Sequence, residues 1–235
     1  MILVRTVRKL SEPAKIAIQE WLLLSGCFSC LLLLARVIVS GTPTYLFLPW
    51  NLFLGFIPYA ITQWMTRRVS LLENKWSFYA LMFVWLLFIP NSFYIITDLF
   101  HLTHIDSAPK WYDVLMIFSF AWNGLLYGII SLRKVELLIS MQSGKTVSVF
   151  FILLVMWLAA FGIYIGRFLR YNSWDIITNP FSLAGEIVDM MIHPFKHGYG
   201  WGMTFVYGLF MTFVYMTIRK IGEAAELSDA KRERK

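Results

Sequence analysis

Six long apolar runs divide the chain, and polar residues gather between them instead of alternating within them. The runs cover 17–39, 45–65, 76–100, 111–132, 147–169 and 200–218. A helix needs roughly 20 apolar residues to cross a hydrocarbon core of roughly 30 Å. Strands of a membrane barrel would be shorter and would alternate, and these runs are continuous. The pattern predicts an all-α polytopic membrane protein, a bundle of six transmembrane helices. The first run is too long for a cleavable signal, and no small-residue cleavage site follows it. A basic arm, 1–16, precedes the bundle at 17–218, and a charged tail, 219–235, follows it.

Composition removes the alternatives. Apolar residues make up 58% of the 235 positions, charged residues 15%, and the mean hydropathy is +0.63. A disordered chain, a disulfide scaffold and an ordinary soluble enzyme are excluded by those values. The length suits a single integral membrane domain, 1–235. No internal repeat or low-complexity tract interrupts it.

Lysine and arginine placement orients the bundle. Sixteen fall in the arm, the loop after the second run, the turn after the fourth and the tail; five lie toward the other side (Arg36, Lys110, Arg167, Arg170 and Lys196). Both termini are therefore expected in the cytoplasm. The net charge of +7 follows from this bias and needs no nucleic acid. Attraction to anionic membrane lipid is its natural companion.

Three connections then face outward. The first, near 40–44, is a short turn. The second, about 101–110, holds His104, Asp106 and Lys110. The third, about 170–199, is the longest and most polar. Within it, 182–193 reads as a short helix started by a Ser182 cap. Leu183, Ile187, Met190 and Met191 lie on one side, and Glu186, Asp189 and His193 on another, as in an interfacial helix. From Glu223 onward the tail balances four acids against four bases and reads as a solvated helical end.

Cys27 and Cys30 form a C-x-x-C at bilayer depth. That setting lacks the positive field that activates a thiol, so burial as small hydrophobes is the expected role. Gly162-x-x-x-Gly166 marks close helix packing.

The informative chemistry is one-sided, because polar residues cluster in the outward half. In the third span, Asn91, Tyr94, Asp98 and His101 share one helix face at about 100° per residue. Asn91 lies roughly 10 Å below Asp98 at about 1.5 Å per residue. Pro90 removes a backbone hydrogen bond at the inner end of this stripe. Asn51 sits near the depth of Asn91 in the second span. Asp113 stands at the mouth of the fourth, with Asn123 deeper. The fifth ends in Tyr164, Arg167 and Arg170, followed by Asn172-Ser173-Trp174-Asp175. Intramembrane Asn, Asp and Arg need partners or water and usually face the bundle interior.

Three readings of this cluster compete. In a structural one, Asp98 or Asp113 pairs with Arg167 or Arg170, and the Asn residues hydrogen-bond between helices. In a second, Asp98, His101, His104 and Asp113 form an acid–base or divalent-metal site, though no H-E-x-x-H motif is present. His193 and His197 are four apart, but Pro194 argues against one helical face. In a third, Arg167 and Arg170 clamp a phosphate or carboxylate, and the ligand is a lipid headgroup or a small anion. Walker loops, nucleophile elbows and nucleic-acid motifs are absent.

Several strings carry a resemblance. They are Trp50-Asn51-Leu52-Phe53-Leu54 with Pro58-Tyr59, Pro90-Asn91 through Tyr94, and Thr97-Asp98-Leu99. Trp111-Tyr112-Asp113, Trp122-Asn123-Gly124, Gly166-Arg167 through Arg170, and Asn172-Ser173-Trp174-Asp175 follow in order. Together they resemble the DUF1361 family, a bacterial integral-membrane family of unknown function, over about 45–218. The resemblance implies a polytopic protein of the bacterial cytoplasmic membrane. It brings no activity and no catalytic residues.

The combined expectation is an outward polar pocket built from spans two to five and roofed by 170–199. Asp98, His101 and Asp113 are its acid–base or metal-binding candidates. Arg167 and Arg170 are the anion clamp. Asn51, Asn91, Tyr94, Asn123, Asn172 and Asp175 are the lining. Binding alone and binding with catalysis both fit. A small-solute transporter and a non-catalytic assembly factor are the rival classes. The inner halves of the spans are mostly apolar, which disfavours a transporter.

Overall fold

The computed structural model describes residues 12–68, 72, 74–103 and 108–232, and the side chains of 18–68, 72, 74–102 and 108–225. His104 and Asp106, the side chains of the arm 1–16 and those of the last ten residues lie outside the described residues. All described elements are helical. They are α1 (Glu12–Ser40), α2 (Phe47–Arg67), α3 (Lys75–Tyr94), α4 (Lys110–Ser143), α5 (Lys145–Tyr164), α6 (Asp175–Thr178), α7 (Pro180–Ile192) and α8 (Gly198–Arg232). A 3-10 segment, Ile95–Thr103, continues α3, and a π-turn, Ile165–Leu169, continues α5.

Five of these are long and apolar enough to cross a membrane: Ile18–Ser40, Lys75–Leu102, Lys110–Ser143, Lys145–Leu169 and Gly198–Ala225. The segment expected as the second span forms α2, a 21-residue helix that is not among these five. Asn51, Gln63, Pro49 and Pro58 make α2 less apolar than the other five. Large apolar side chains such as Trp21, Phe28, Trp76, Phe150 and Phe213 stand exposed along the helices. In water that would be a liability; against lipid tails it is the required outer surface.

The chain forms two compact units, Met1–Gly128 and Ile129–Lys235, with the boundary inside α4. In lipid, helices associate through close packing and polar contacts, because apolar tails give them no hydrophobic drive to meet. The first unit uses glycine for this. Ser92 Oγ donates to the Gly55 carbonyl of α2 at 2.7 Å. A Cβ on Gly55 would lie 3.2 Å from Ser92 Cα. A Cβ on Gly124 would lie 2.8 Å from the Ser92 carbonyl oxygen, and one on Gly128 2.7 Å from Phe93 Cζ. The Ser92–Phe93 turn of α3 is therefore held between Gly55 of α2 and Gly124-x-x-x-Gly128 of α4. Gly162 and Gly166, the pair expected to mark close packing, are half-buried.

The second unit uses the same device between α5 and α8. Gly200, Thr204, Gly208 and Thr212 recur every fourth residue and so share a face of α8. A Cβ on Gly200 would lie 2.6 Å from the Tyr164 ring, and one on Gly208 3.2 Å from the Trp157 ring. Phe161 stacks on Trp201 with ring centroids 5.4 Å apart. Thr204 and Thr212 return their hydroxyls to the carbonyls of Gly200 and Gly208, so both hydroxyls on this face are satisfied within the helix.

Three local expectations change. The turn expected after the fourth span is helix up to Ser143. Only Gly144, at φ 90°, separates α4 from α5. That backbone angle favours glycine, so the connection needs no further residues. The helix of the 170–199 loop starts at Pro180, not Ser182. Proline fits a first helical turn because its missing N–H would be unpaired there anyway. Ser182 Oγ instead hydrogen-bonds the Tyr171 hydroxyl at 2.6 Å. On that helix Leu183 and Met190 are buried, while Met191 is exposed. Cys27 and Cys30 are free thiols on an exposed flank of α1.

Candidate functional site

In the first unit, the last turn of α1, the first turns of α2 and α4, and the 3-10 segment meet at one end. Arg36 is at their centre, 2% exposed. Its Nε donates to Asp113 Oδ1 at 3.0 Å and its Nη2 to Asp113 Oδ2 at 3.3 Å. Nη1 donates to Ser40 Oγ at 2.9 Å and to Thr42 Oγ1. The guanidinium also lies over the Tyr45 ring, 4.8 Å from its centroid. A charge this deep is tolerable only with a charged partner and filled hydrogen bonds, and Arg36 has both. The structural reading of the sequence paired Asp98 or Asp113 with Arg167 or Arg170. The partner of Asp113 is Arg36, from the first helix.

Asp98 is fully buried beside this pair's helices and accepts a hydrogen bond from Asn51 Nδ2 at 2.9 Å. The sequence matched Asn51 in depth with Asn91, and its partner is instead Asp98, two helical turns further along. His101 is exposed; its ring sits 5.0 Å from that of Phe47, and its carbonyl accepts from the Tyr45 hydroxyl at 3.4 Å. The α-helical face expected for 91, 94, 98 and 101 does not run through. The helix tightens to 3-10 at Ile95, which changes the angle per residue. Thr97 Oγ1 closes that tighter turn by donating to the Tyr94 carbonyl at 2.6 Å. Asn91 turns its amide back to the Phe88 carbonyl at 3.1 Å, and both Asn91 and Tyr94 are half-buried.

Asn123 lies about 15 Å along α4 from Asp113, at about 1.5 Å per residue. It joins α4 to α1 through Ser29 Oγ at 3.2 Å and returns to the Ser119 carbonyl at 2.8 Å. Its Oδ1 is buried with no hydrogen-bond partner among the described residues.

The remaining candidates belong to the second unit. Arg167 falls within the π-turn and is half-buried, its charge acting on the Tyr207 phenol. Arg170 is exposed at φ 61°, in the left-handed region, and ends the helix. π-turns in membrane helices frequently mark functional segments, and so do non-glycine residues held left-handed. Asp175 is engaged locally: Oδ2 accepts from the Asn172 backbone N–H at 2.6 Å and Oδ1 from Thr178 Oγ1 at 2.8 Å. The Asn172 backbone hydrogen bond, with help from Thr178, lowers the Asp175 carboxyl below its ordinary range.

Asp189 is a hub that sequence reasoning passed over. His193 Nδ1 at 2.9 Å, Lys196 Nζ at 3.1 Å and His197 Nε2 at 2.7 Å all converge on it. α7 ends before Pro194, so the two histidines do not share its face; the turn that follows folds both rings back onto one carboxylate. Hydrogen bonds from His197, Lys196 and His193, in that order, hold the Asp189 carboxyl far below its usual range. Among the described residues, no three His, Cys, Asp or Glu side chains gather as metal ligands would.

A model of a protein family of unknown function, DUF1361, matches residues 50–218. The chain belongs to that family. No curated protein and no solved structure matches it. The DUF1361 region holds Asn51, Asp98, Asp113, Arg167 and Arg170, while Arg36, the partner of Asp113, lies before it. Family membership and five membrane-length apolar helices make this DUF1361 chain a multi-pass integral membrane protein.

Proposed function

We propose that the protein binds a lipid headgroup, or a small anion of the same chemistry, through Arg167 and Arg170 at the outward face of a bacterial cytoplasmic membrane. The observation that carries this is the ending of α5. A spanning helix loosens into a π-turn at Arg167 and stops in left-handed backbone at Arg170. Arginine in that conformation costs more than glycine, the residue usual at such ends. Retaining it there makes sense if the guanidinium is used. Two forked donors near the hydrocarbon boundary suit a phosphate or carboxylate.

The lysine and arginine bias along the chain supports the outward placement. With α2 as a sixth span, the count is even and both ends are cytoplasmic. The close α2–α3 approach at Gly55 supports a spanning α2. Should the protein also act on a ligand, Asp98 and His101 are its acid–base candidates in the first unit, and Asp113, with both oxygens engaged by Arg36, positions that cation.

Native mass spectrometry of the purified full chain tests the reading, using phosphatidylglycerol against phosphatidylcholine. Wild type should retain phosphatidylglycerol selectively, and Arg167→Gln and Arg170→Gln should lose it. A wild type that retains neither lipid, or variants that retain both like wild type, would overturn the proposal.

A further inference from the structure

The second unit carries another charged cluster, at its other end and unconnected with the arginines above. Because α4 continues to Ser143, Arg133, Glu136 and Ser140 stack on one face of it at spacings of three and four. The one-residue turn at Gly144 brings Lys145 next to them. α8 supplies Tyr215, Arg219 and Glu223, four residues apart each time, also on one face.

Glu136 organises the cluster and is 3% exposed. It accepts from Arg133 Nη1 at 2.7 Å and from the Tyr215 hydroxyl, and it forms an ion pair with Arg219, whose Nη2 lies 3.2 Å from Oε1. Two arginines on different helices are thereby fixed by one buried carboxylate. These groups line a half-open cavity of about 460 Å³ with Ser140, Lys145 and Glu223 on its wall. That volume is within the range of small-ligand sites.

The charges around this cavity do not balance. Its wall carries Arg133, Lys145 and Arg219 against Glu136 and Glu223, three cations to two carboxylates. The Lys145 ammonium makes no ion pair among the described residues. Arg219 is nine-tenths buried, yet its Nε has no hydrogen-bond acceptor among the described residues. Glu223 Oε1 lies 3.2 Å from that nitrogen but out of line with its N–H. The Arg219 Nε–H, though within ion-pair distance of Glu223, thus has no hydrogen-bond acceptor among the described residues, and it lies in a cavity with a net positive wall that also holds Lys145.

We propose that this cavity binds a phosphate group. Guanidinium N–H groups pre-set by Glu136 would grip its oxygens, Lys145 would add a point charge, and Ser140 would donate a hydroxyl. The phosphate could be free or could belong to a lipid headgroup on this side of the membrane; the recognition chemistry is the same.

Isothermal titration of the full chain in detergent tests this. The probes are inorganic phosphate, dihexanoyl phosphatidic acid and, as control, dihexanoyl phosphatidylcholine. Wild type should bind phosphate or phosphatidic acid saturably with a Kd of about 1 mM or tighter, and not the control. Arg133→Gln should weaken binding about tenfold or more, the loss of one charge-assisted contact. Lys145→Gln should weaken it about fivefold. Lys145 is exposed at a helix start, so its variant separates lost binding from lost folding. Phosphatidic acid binding at least about tenfold tighter than phosphate would identify a lipid headgroup; equal binding would identify free phosphate. No binding of either probe by wild type, or binding that both variants leave unchanged, would overturn the proposal. The component of the titration lost in Arg133→Gln should persist in Arg170→Gln, which removes only binding at the outward arginines, so failure of the outward reading and failure of this one are distinguishable.

Discussion

Arg36 and Asp113 are 77 positions apart and meet in a two-point contact, Nε to Oδ1 at 3.0 Å and Nη2 to Oδ2 at 3.3 Å. Both side chains are at most 5% exposed. A lone charge left at that depth has neither water nor partner, so breaking the pair should cost more than the pair itself contributes. Asp113→Ala and Arg36→Ala should each destabilise the protein by about 3 kcal/mol. The double variant should cost much less than their sum. A double-mutant cycle on thermal unfolding in detergent should give a coupling well above the ~0.6 kcal/mol average of interhelical hydrogen bonds in membranes. Additive losses would place the stabilisation elsewhere in the cluster.

Glycine substitutions should divide sharply by place. Gly124→Ala puts a Cβ 2.8 Å from the Ser92 carbonyl oxygen, a backbone atom that cannot swing away. Overpacking of this kind costs about 1–3 kcal/mol. Gly185→Ala, inside α7, meets nothing within 4 Å. It should gain about 0.5–1 kcal/mol from backbone entropy alone. Melting temperatures of the two variants, measured side by side, check the contrast.

These two relationships mark where sequence stopped being informative. Membrane helices were legible because an uninterrupted apolar run of span length has few other uses. Asn51 as an inward-facing polar residue was legible, but depth alone set it level with Asn91, and its hydrogen bond goes to Asp98. Arg36 was not: a single arginine near a helix end reads as a boundary marker, and its partner is on a helix three elements later. The face assigned to 91–101 failed because periodicity presumes one helix type throughout, and the coil tightens at Ile95. Helix α4 overran its expected end because the apolar pattern stops at Leu132, while the backbone continues on a charged face held by Glu136. Gly124-x-x-x-Gly128 carries the same spacing as the pair at 162 and 166, and only the neighbouring Ser92 distinguishes it as a contact.

The Asp189 hub predicts a pH response. Its folded carboxyl sits far below the ordinary value of 3.8 because His197, Lys196 and His193 hydrogen-bond the ionised form. A depressed carboxyl contributes stability that is fully present above its unfolded value and is lost as pH falls through the folded one. The α7–α8 turn should therefore stay ordered down to about pH 4 and loosen only below it. Trp201 reports on this turn, since its indole N–H donates to the Met190 carbonyl at 3.2 Å. Its fluorescence should be flat from neutral pH to about 4 and change below that. Asp189→Asn should give the loosened spectrum already at neutral pH. A variant spectrum identical to wild type across the range would remove the carboxylate from the account.

Arg170 sets stability against use. At φ 61° a side chain beyond glycine costs about 1 kcal/mol, and nothing about ending a helix requires the guanidinium. Arg170→Gly should therefore raise the unfolding free energy by about 0.5–1 kcal/mol. Arg170→Ala keeps the Cβ and should leave stability nearly unchanged. If Arg170 grips an anion, both variants should lose retained phosphatidylglycerol equally despite their different stabilities. Stability and lipid retention are then uncoupled, which a merely structural arginine would not produce. A glycine variant that is stabilised and still retains the lipid would mean that the left-handed ending of α5 serves the backbone alone.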